Sequence, residues 1–190
     1  MFKINCLQKY NIILIVLFLV GISITSTTSS EEIKEEQPKN LRIRLGFENM
    51  FHAGEASDKA DEIFFNPTID IEKKVSPRTA LSLRCIPAFF YIQDKNIEEV
   101  FGAGVGGTIR IYIKKEERGF FSEIHEVILF HKNKFEGNSS NINFYSSLGI
   151  GYQFNKEWDI LFQLGHISNA DLKENNKGTD LMGIGIGYTF

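Results

Sequence analysis

Eight stretches of the sequence place apolar side chains at every second position, and this alternation constrains the fold more than any other feature. Successive side chains of a β-strand point to opposite faces, so each stretch has one apolar and one mixed face. The first runs from Leu41 to Phe51, with Leu41, Ile43, Leu45 and Phe47 against Arg42, Arg44, Gly46 and Glu48. The second covers Glu62 to Glu72, with Phe65, Pro67, Ile69 and Ile71 against Asn66, Thr68 and Asp70. The third, Arg78 to Ile92, sets Leu81, Leu83, Cys85, Phe89 and Tyr91 against Ser82 and Arg84. The fourth, Val100 to Lys114, is the most regular, with Phe101, Ala103, Val105, Ile109, Ile111 and Ile113 on one face. The fifth, Gly119 to Phe130, is ambiguous, because Phe121, His125, Val127 and Leu129 compete with Phe120, Ile124, Ile128 and Phe130. The sixth spans Ile142 to Phe154, the seventh Trp158 to Ser168, and the eighth Asp180 to Phe190.

No stretch of the mature-like region has a convincing helical period. The face opposite the apolar one is rich in Gly, Ser, Thr, Asn, Gln and Arg. That is poor filling for a sandwich core but suits the narrow interior of an eight-stranded barrel. Run lengths match the ~9–11 residues of a tilted membrane strand, and Phe and Tyr recur near the run ends as in an aromatic girdle. An open sheet in lipid would leave unpaired backbone groups, so the eighth strand should close on the first. The expected fold is an all-β, eight-stranded antiparallel transmembrane barrel occupying residues 41–190. Charged residues on the inner face (Arg42, Arg44, Arg84 and Arg110 with Glu48, Asp70 and Glu72) should pair with one another, since an isolated buried charge is costly.

Ahead of the barrel, residues 1–30 read as a cleaved signal peptide. Lys3 and Lys9 precede an apolar run from Ile12 to Ile24, and small residues follow from Ser26 to Ser30. Residues 31–40 read as a polar tail. The 21 basic and 24 acidic residues give a net charge of −3; loss of Lys3 and Lys9 makes it −5. No basic footprint points to nucleic acid. Cleavage would also remove Cys6 and leave Cys85 alone, so no intrachain disulfide is expected.

The apolar parity of the last two runs ends in polar residues. Trp158, Ile160, Phe162 and Leu164 are followed by His166 and Ser168, and Asp180 precedes Met182, Ile184, Ile186, Tyr188 and Phe190. A hairpin loop between Asn169 and Thr179 would bring Asp180 beside the end of the seventh strand. An alcohol, an imidazole and a carboxylate in that relation can form a nucleophile, a base and an orienting acid. From the residues alone, a second reading stays open: three solvated strand ends in the headgroup zone. His125 and His131 have no convergent partners that would suggest a metal site.

The stretch Gly165-His166-Ile167-Ser168-Asn169-Ala170, followed by Asn176, Asp180 and a final strand ending in Phe190, resembles the PagL-type lipid A 3-O-deacylases of Gram-negative outer membranes. The resemblance implies an outer-membrane esterase that hydrolyses the ester-linked acyl chain at the 3-position of lipid A, without a metal or cofactor. It implies Ser168 as nucleophile, His166 as base and Asp180 as the acid that holds the imidazole. Asn169 and Asn176 match supporting positions, and Asn176 with the backbone N–H of Asp171 would stabilise the oxyanion. Ile160, Phe162, Leu164, Met182 and Ile184 would line a groove for acyl chains. Its partners would be lipid A and outer-membrane lipid, and a homodimer is left open. The sequence departs from the family pattern at Asp180, where Glu is usual, at Asp171, where Gly is usual, and at Glu174-Asn175, where the loop is usually richer in Pro. Asp171 is also a rival for the acid role. The alternatives are a non-enzymatic barrel acting as channel, adhesin or anchor, and an acyltransferase using the same acyl-enzyme step.

Overall fold

The computed structural model describes residues 41–52, 62–93, 97–114 and 118–190. The expected signal peptide (1–30) and polar tail (31–40) lie outside these residues. Eight antiparallel strands follow one another: β1 (Leu41–His52), β2 (Ile63–Ser76), β3 (Thr79–Ile92), β4 (Val100–Tyr112), β5 (Gly119–His131), β6 (Ile142–Gln153), β7 (Trp158–Ser168) and β8 (Thr179–Thr189). Each pairs with its sequence neighbours and β8 closes on β1, with Phe47 opposite Ile186. Closure satisfies both edges, as lipid requires. Short turns at 77–78 and 154–157 mark one end of the barrel, and the loops at 132–141 and 169–178 mark the other. Outer-membrane barrels keep their short turns in the periplasm, so the longer loops face outward.

The outer wall is apolar and exposed, as at Phe47, Leu83, Phe101, Ile150, Phe162 and Ile184. Trp158, Tyr188 and Phe190 pack edge to face at the periplasmic end, forming part of an aromatic girdle. The ambiguity of the fifth run resolves with Phe121, Glu123, His125, Val127 and Leu129 inside, and Phe120, Ile124, Glu126, Ile128 and Phe130 outside. The third run departs from simple alternation. A register shift between Ile86 and Phe89 inserts a bulge at Pro87-Ala88, so Phe89 and Tyr91 point inward instead of sharing the outer face with Leu83 and Cys85. Proline lacks the N–H that the ladder needs, and a bulge accommodates it.

The interior is filled in layers. Under the outward loops, Phe64, Phe89, Tyr91, Phe135 and Tyr145 form an aromatic cluster with Met50, Ile167 and Leu181. Toward the periplasm lies a charge network. Arg84 grips Asp70 through Nε (2.7 Å) and Nη2 (2.9 Å), and also donates to Glu123 (2.8 Å) and Glu48 (3.1 Å). Arg110 donates to Glu123 at 2.6 Å. Arg44 donates to Asp159 at 2.7 and 2.8 Å. Gly187 makes room for Arg44, since a Cβ there would sit 2.2 Å from Nη2. Of the expected members, Arg44, Arg84, Arg110, Glu48 and Asp70 join one network, with Glu123 and Asp159 as added members; the Arg42 side chain lies outside what is described. Ala80, Tyr112, Phe121 and Leu161 close the periplasmic end.

Candidate functional site

The pairing of β7 with β8 sets His166 directly opposite Asp180. His166 Nδ1 lies 2.7 Å from Asp180 Oδ1. A carboxylate can only accept, so Nδ1 donates, and in the neutral ring Nε2 then keeps its lone pair. Asp180 thus reaches the imidazole despite being one methylene shorter than Glu, because the two residues face each other across one ladder step. Both sit on the outer wall, and the Asp180 side chain is 68% exposed against 36% for His166.

Ser168 follows His166 by two residues and shares its parity, but it is buried rather than open, and its hydroxyl makes no hydrogen bond. Ser168 and His166 are therefore not hydrogen-bonded to each other in this structure. Such bonds are often long without substrate and tighten in the complex. Ser168 ends β7 and leads directly into the loop at 169–178. Asn169 O accepts from Leu172 N at 3.0 Å, closing a turn in which Ala170 (φ 50°) and Asp171 (φ 62°) are both left-handed. This is the pattern of a type I′ turn. Asp tolerates that region better than most residues, which explains how it replaces Gly, whereas Ala170 is held there at a cost of about 1–2 kcal/mol. Strain of this kind persists only where surroundings enforce it.

The enforcing contacts are a set of asparagines. Asn176 Oδ1 accepts from Asn169 N at 2.8 Å, and Asn176 Nδ2 donates to Asp171 Oδ1 at 3.0 Å. Asp171 is thereby engaged with the loop, not with His166, and does not compete for the acid position. Asn169 Nδ2 donates to Asn175 O at 2.9 Å and to Asn138 Oδ1 at 3.0 Å. Asn138 comes from the β5–β6 loop and forms a backbone bridge with Asn176. That loop is anchored in turn by Phe135 in the aromatic cluster and by Gln93, whose Oε1 accepts from Glu136 N at 2.7 Å. Asn138 was not singled out from the sequence. Its only local signal is a Gly-Asn turn, and nothing in a single chain ties it to a residue 31 positions away.

Gly178 is a second unpredicted member. A Cβ at this position would lie 2.5 Å from His166 Cε1 and 2.9 Å from Nε2. Gly178→Ala is expected to displace the imidazole and lower activity by about 10²-fold, the scale of an ångström-sized misplacement. Circular dichroism and unfolding of the purified barrel should change little. Wild-type activity in this variant would show that the ring does not need its present position.

Below the site, a shallow groove of about 240 Å³ runs along the wall between Phe120, Ile150, Tyr152, Ile160, Phe162 and Ile184. It includes Ile160, Phe162 and Ile184 of the expected acyl groove. Leu164 and Met182 lie opposite each other between this groove and His166, exposed on the wall. Inside the barrel, Glu48, Glu123 and His125 are close enough to share a metal ion. The Arg84 guanidinium already fills that position, donating to all three.

A closed eight-stranded antiparallel barrel with an exposed apolar outer wall belongs to the class of outer-membrane β-barrels. The model of the lipid A 3-O-deacylase (PagL) family matches residues 75–189, and the chain belongs to that family. It is therefore a member of a hydrolase family of the Gram-negative outer membrane. Among solved structures, the outer-membrane enzyme PagL is 12% identical, with a TM-score of 0.51, covering 77% of this chain and 97% of that one. The N-terminal β-barrel domain of Pseudomonas aeruginosa OprF is 13% identical, with a TM-score of 0.52, covering 81% of this chain and 100% of that one. A de novo designed transmembrane β-barrel is 12% identical, with a TM-score of 0.50, covering 82% and 100%. These likenesses speak for the fold. No curated protein sequence matches the chain.

Proposed function

We propose that this protein hydrolyses the ester-linked 3-O acyl chain of lipid A through Ser168, His166 and Asp180. The observation that carries the reading is the 2.7 Å His166–Asp180 contact on the lipid-facing wall, two residues before a serine. Ser168 Oγ attacks the ester carbonyl while His166 Nε2 takes its proton; Asp180 holds the ring and stabilises the imidazolium. Negative charge on the carbonyl oxygen is met by the second Nδ2 hydrogen of Asn176 and the backbone N–H of Asp171. The intermediate collapses as the imidazolium protonates the departing sugar oxygen. Water, activated by the same imidazole, then releases the fatty acid. Asn169 and Asn138 position this loop without touching the reacting atoms.

A substrate whose acyl chains already lie against the barrel needs no pocket. The ester would sit at the level of His166, and the chains would run down past Leu164 and Met182 into the groove at Ile160, Phe162 and Ile184. In the same reading, residues 1–30 direct export and are removed, and residues 31–40 remain as a polar tail. The channel alternative is disfavoured by the aromatic and charged layers that fill the lumen.

Mass spectrometry of lipid A from outer membranes with and without this protein tests the reading. Loss of one ester-linked acyl chain, recovered as free fatty acid, is the expected result. Recovery of that chain on another acceptor would indicate acyl transfer. Unchanged lipid A beside a folded, inserted barrel would refute deacylation.

A further inference from the structure

The groove on the outer wall lies nearer the periplasmic rim than the His166–Asp180 pair does. It has two rungs. Ile150, Phe162 and Ile184 face one another on the upper rung, and Phe120, Tyr152 and Ile160 on the lower. Ile160 and Phe162 stand two and four residues above Trp158 of the aromatic girdle, whereas His166 stands eight above it. At about 3.3 Å per residue and a tilt of about 40°, the two rungs lie roughly 5 and 10 Å above the girdle. The apolar band of such a barrel is about 25 Å tall, so both rungs fall in its periplasmic half. Two cations stand below the lower rung. Arg118 directly precedes β5, and its Nη2 donates to Phe154 O at 3.4 Å, which carries the guanidinium across to the end of β6, below Tyr152. Lys156 occupies the β6–β7 turn, which Asn155 Oδ1 holds by accepting from Glu157 N at 2.9 Å and from Trp158 N at 2.7 Å. Arg118 and Lys156 are exposed, as is Glu157 beside them. Charge is segregated along the whole sequence in the same sense. Residues 73–78, 114–118 and 154–157, at the periplasmic strand ends and turns, hold seven Lys and Arg against three Glu. The four connections at the other end (53–62, 93–99, 132–141 and 169–178) hold six Lys against ten Asp and Glu.

We infer that the groove and these two cations form a binding site for an anionic glycerophospholipid of the periplasmic leaflet. The phosphate and the acidic headgroup lie against Arg118 and Lys156, and one acyl chain lies along Phe120, Tyr152 and Ile160. The guanidinium fork matches phosphate oxygens, and a lysine stem can lie along apolar wall while its ammonium reaches the headgroup level. A cation at this level is attracted to a net negative lipid, whereas a zwitterionic headgroup brings its own cation and gains less. At the depth of the rungs the groove meets hydrocarbon, so a lipid chain fills it rather than a segment of a soluble partner. This site follows from the barrel and its orientation and does not depend on the deacylase reading. In that reading a substrate chain enters the groove from above, and the two lipids meet end to end within it.

The chain carries its own reporter, because its one tryptophan, Trp158, sits at the mouth of the groove. The full barrel is reconstituted in phosphatidylcholine bilayers, and chain-brominated phosphatidylglycerol or chain-brominated phosphatidylcholine is added at equal mole fraction. Bromine quenches tryptophan on contact, so the quenching curves give the relative association of the two lipids at this place. The wild type is expected to favour phosphatidylglycerol by about tenfold, two cations at about fivefold each offset in part by Glu157. Arg118→Gln combined with Lys156→Gln should bring the ratio to within about twofold. Arg118→Lys combined with Lys156→Arg, which keeps both charges, should retain most of it. Lys73→Gln combined with Arg78→Gln, on the far side of the rim, should leave it unchanged. Heat-modifiable mobility confirms that each variant is folded. Equal quenching by the two lipids in the wild type, a preference that survives the loss of Arg118 and Lys156, or one that falls equally with Lys73 and Arg78 would overturn the inference. None of these readouts uses ester hydrolysis, so an inactive enzyme would leave the result intact.

Discussion

Replacing Ser168 by Ala is expected to lower kcat on a lipid A ester by about 10³-fold or more while leaving the barrel folded and inserted. Loss of a serine nucleophile alone costs up to ~10⁶ in other hydrolases, and the remaining groups retain only a residual rate. The substitution removes one oxygen that makes no hydrogen bond in the resting structure, so stability should hold or rise slightly. The pairing of unchanged folding with lost turnover separates a nucleophile from a packing residue. Rapid release of fatty acid by Ser168→Ala would end its assignment as nucleophile. Asp180→Asn sharpens the test. An amide in this position can present N–H to Nδ1 and favour the wrong tautomer, for which about 10⁴-fold in kcat is the precedent. Because Asp180 is exposed on the wall, this variant should unfold like the wild type.

The same pair shows how far a sequence can be read. Parity put His166, Ser168 and Asp180 on one face of two neighbouring strands, and the ladder sets His166 against Asp180 as that parity requires. The barrel was legible for the same reason: its strands keep a period of two over most of their length, and in lipid only closure satisfies their edges. The third strand was misread beyond Ile86 because a bulge reverses parity and leaves no mark in hydrophobicity alone. The burial of Ser168 was not legible either. Nor was the loop that follows it, which is tied by Asn138, Asn169 and Asn176 through contacts made across two hairpins. The fifth run could be read on either parity, and its pairing with β6 fixes which face lies inside.

Arg84→Met is expected to destabilise the barrel by about 3–5 kcal/mol, a large share of an ordinary folding free energy. Arg84 is fully buried and is the shared partner of Asp70, Glu48 and Glu123. Removing it leaves these three carboxylates buried, with Arg44 and Arg110, among the described residues, to balance them and Asp159. Urea unfolding in micelles, followed by loss of heat-modifiable mobility, measures the effect. Adding Asp70→Asn to Arg84→Met should recover part of the loss, because a neutral pair avoids the uncompensated charge. A single variant within about 0.5 kcal/mol of wild type would mean that the carboxylates find other partners or take up protons at little cost. Arg84 lies inside the barrel while His166 and Asp180 lie on its outer wall, so the folded fraction should still cleave lipid. A filled interior leaves the outer wall, where β7 and β8 set His166 opposite Asp180, as the place for the proposed chemistry.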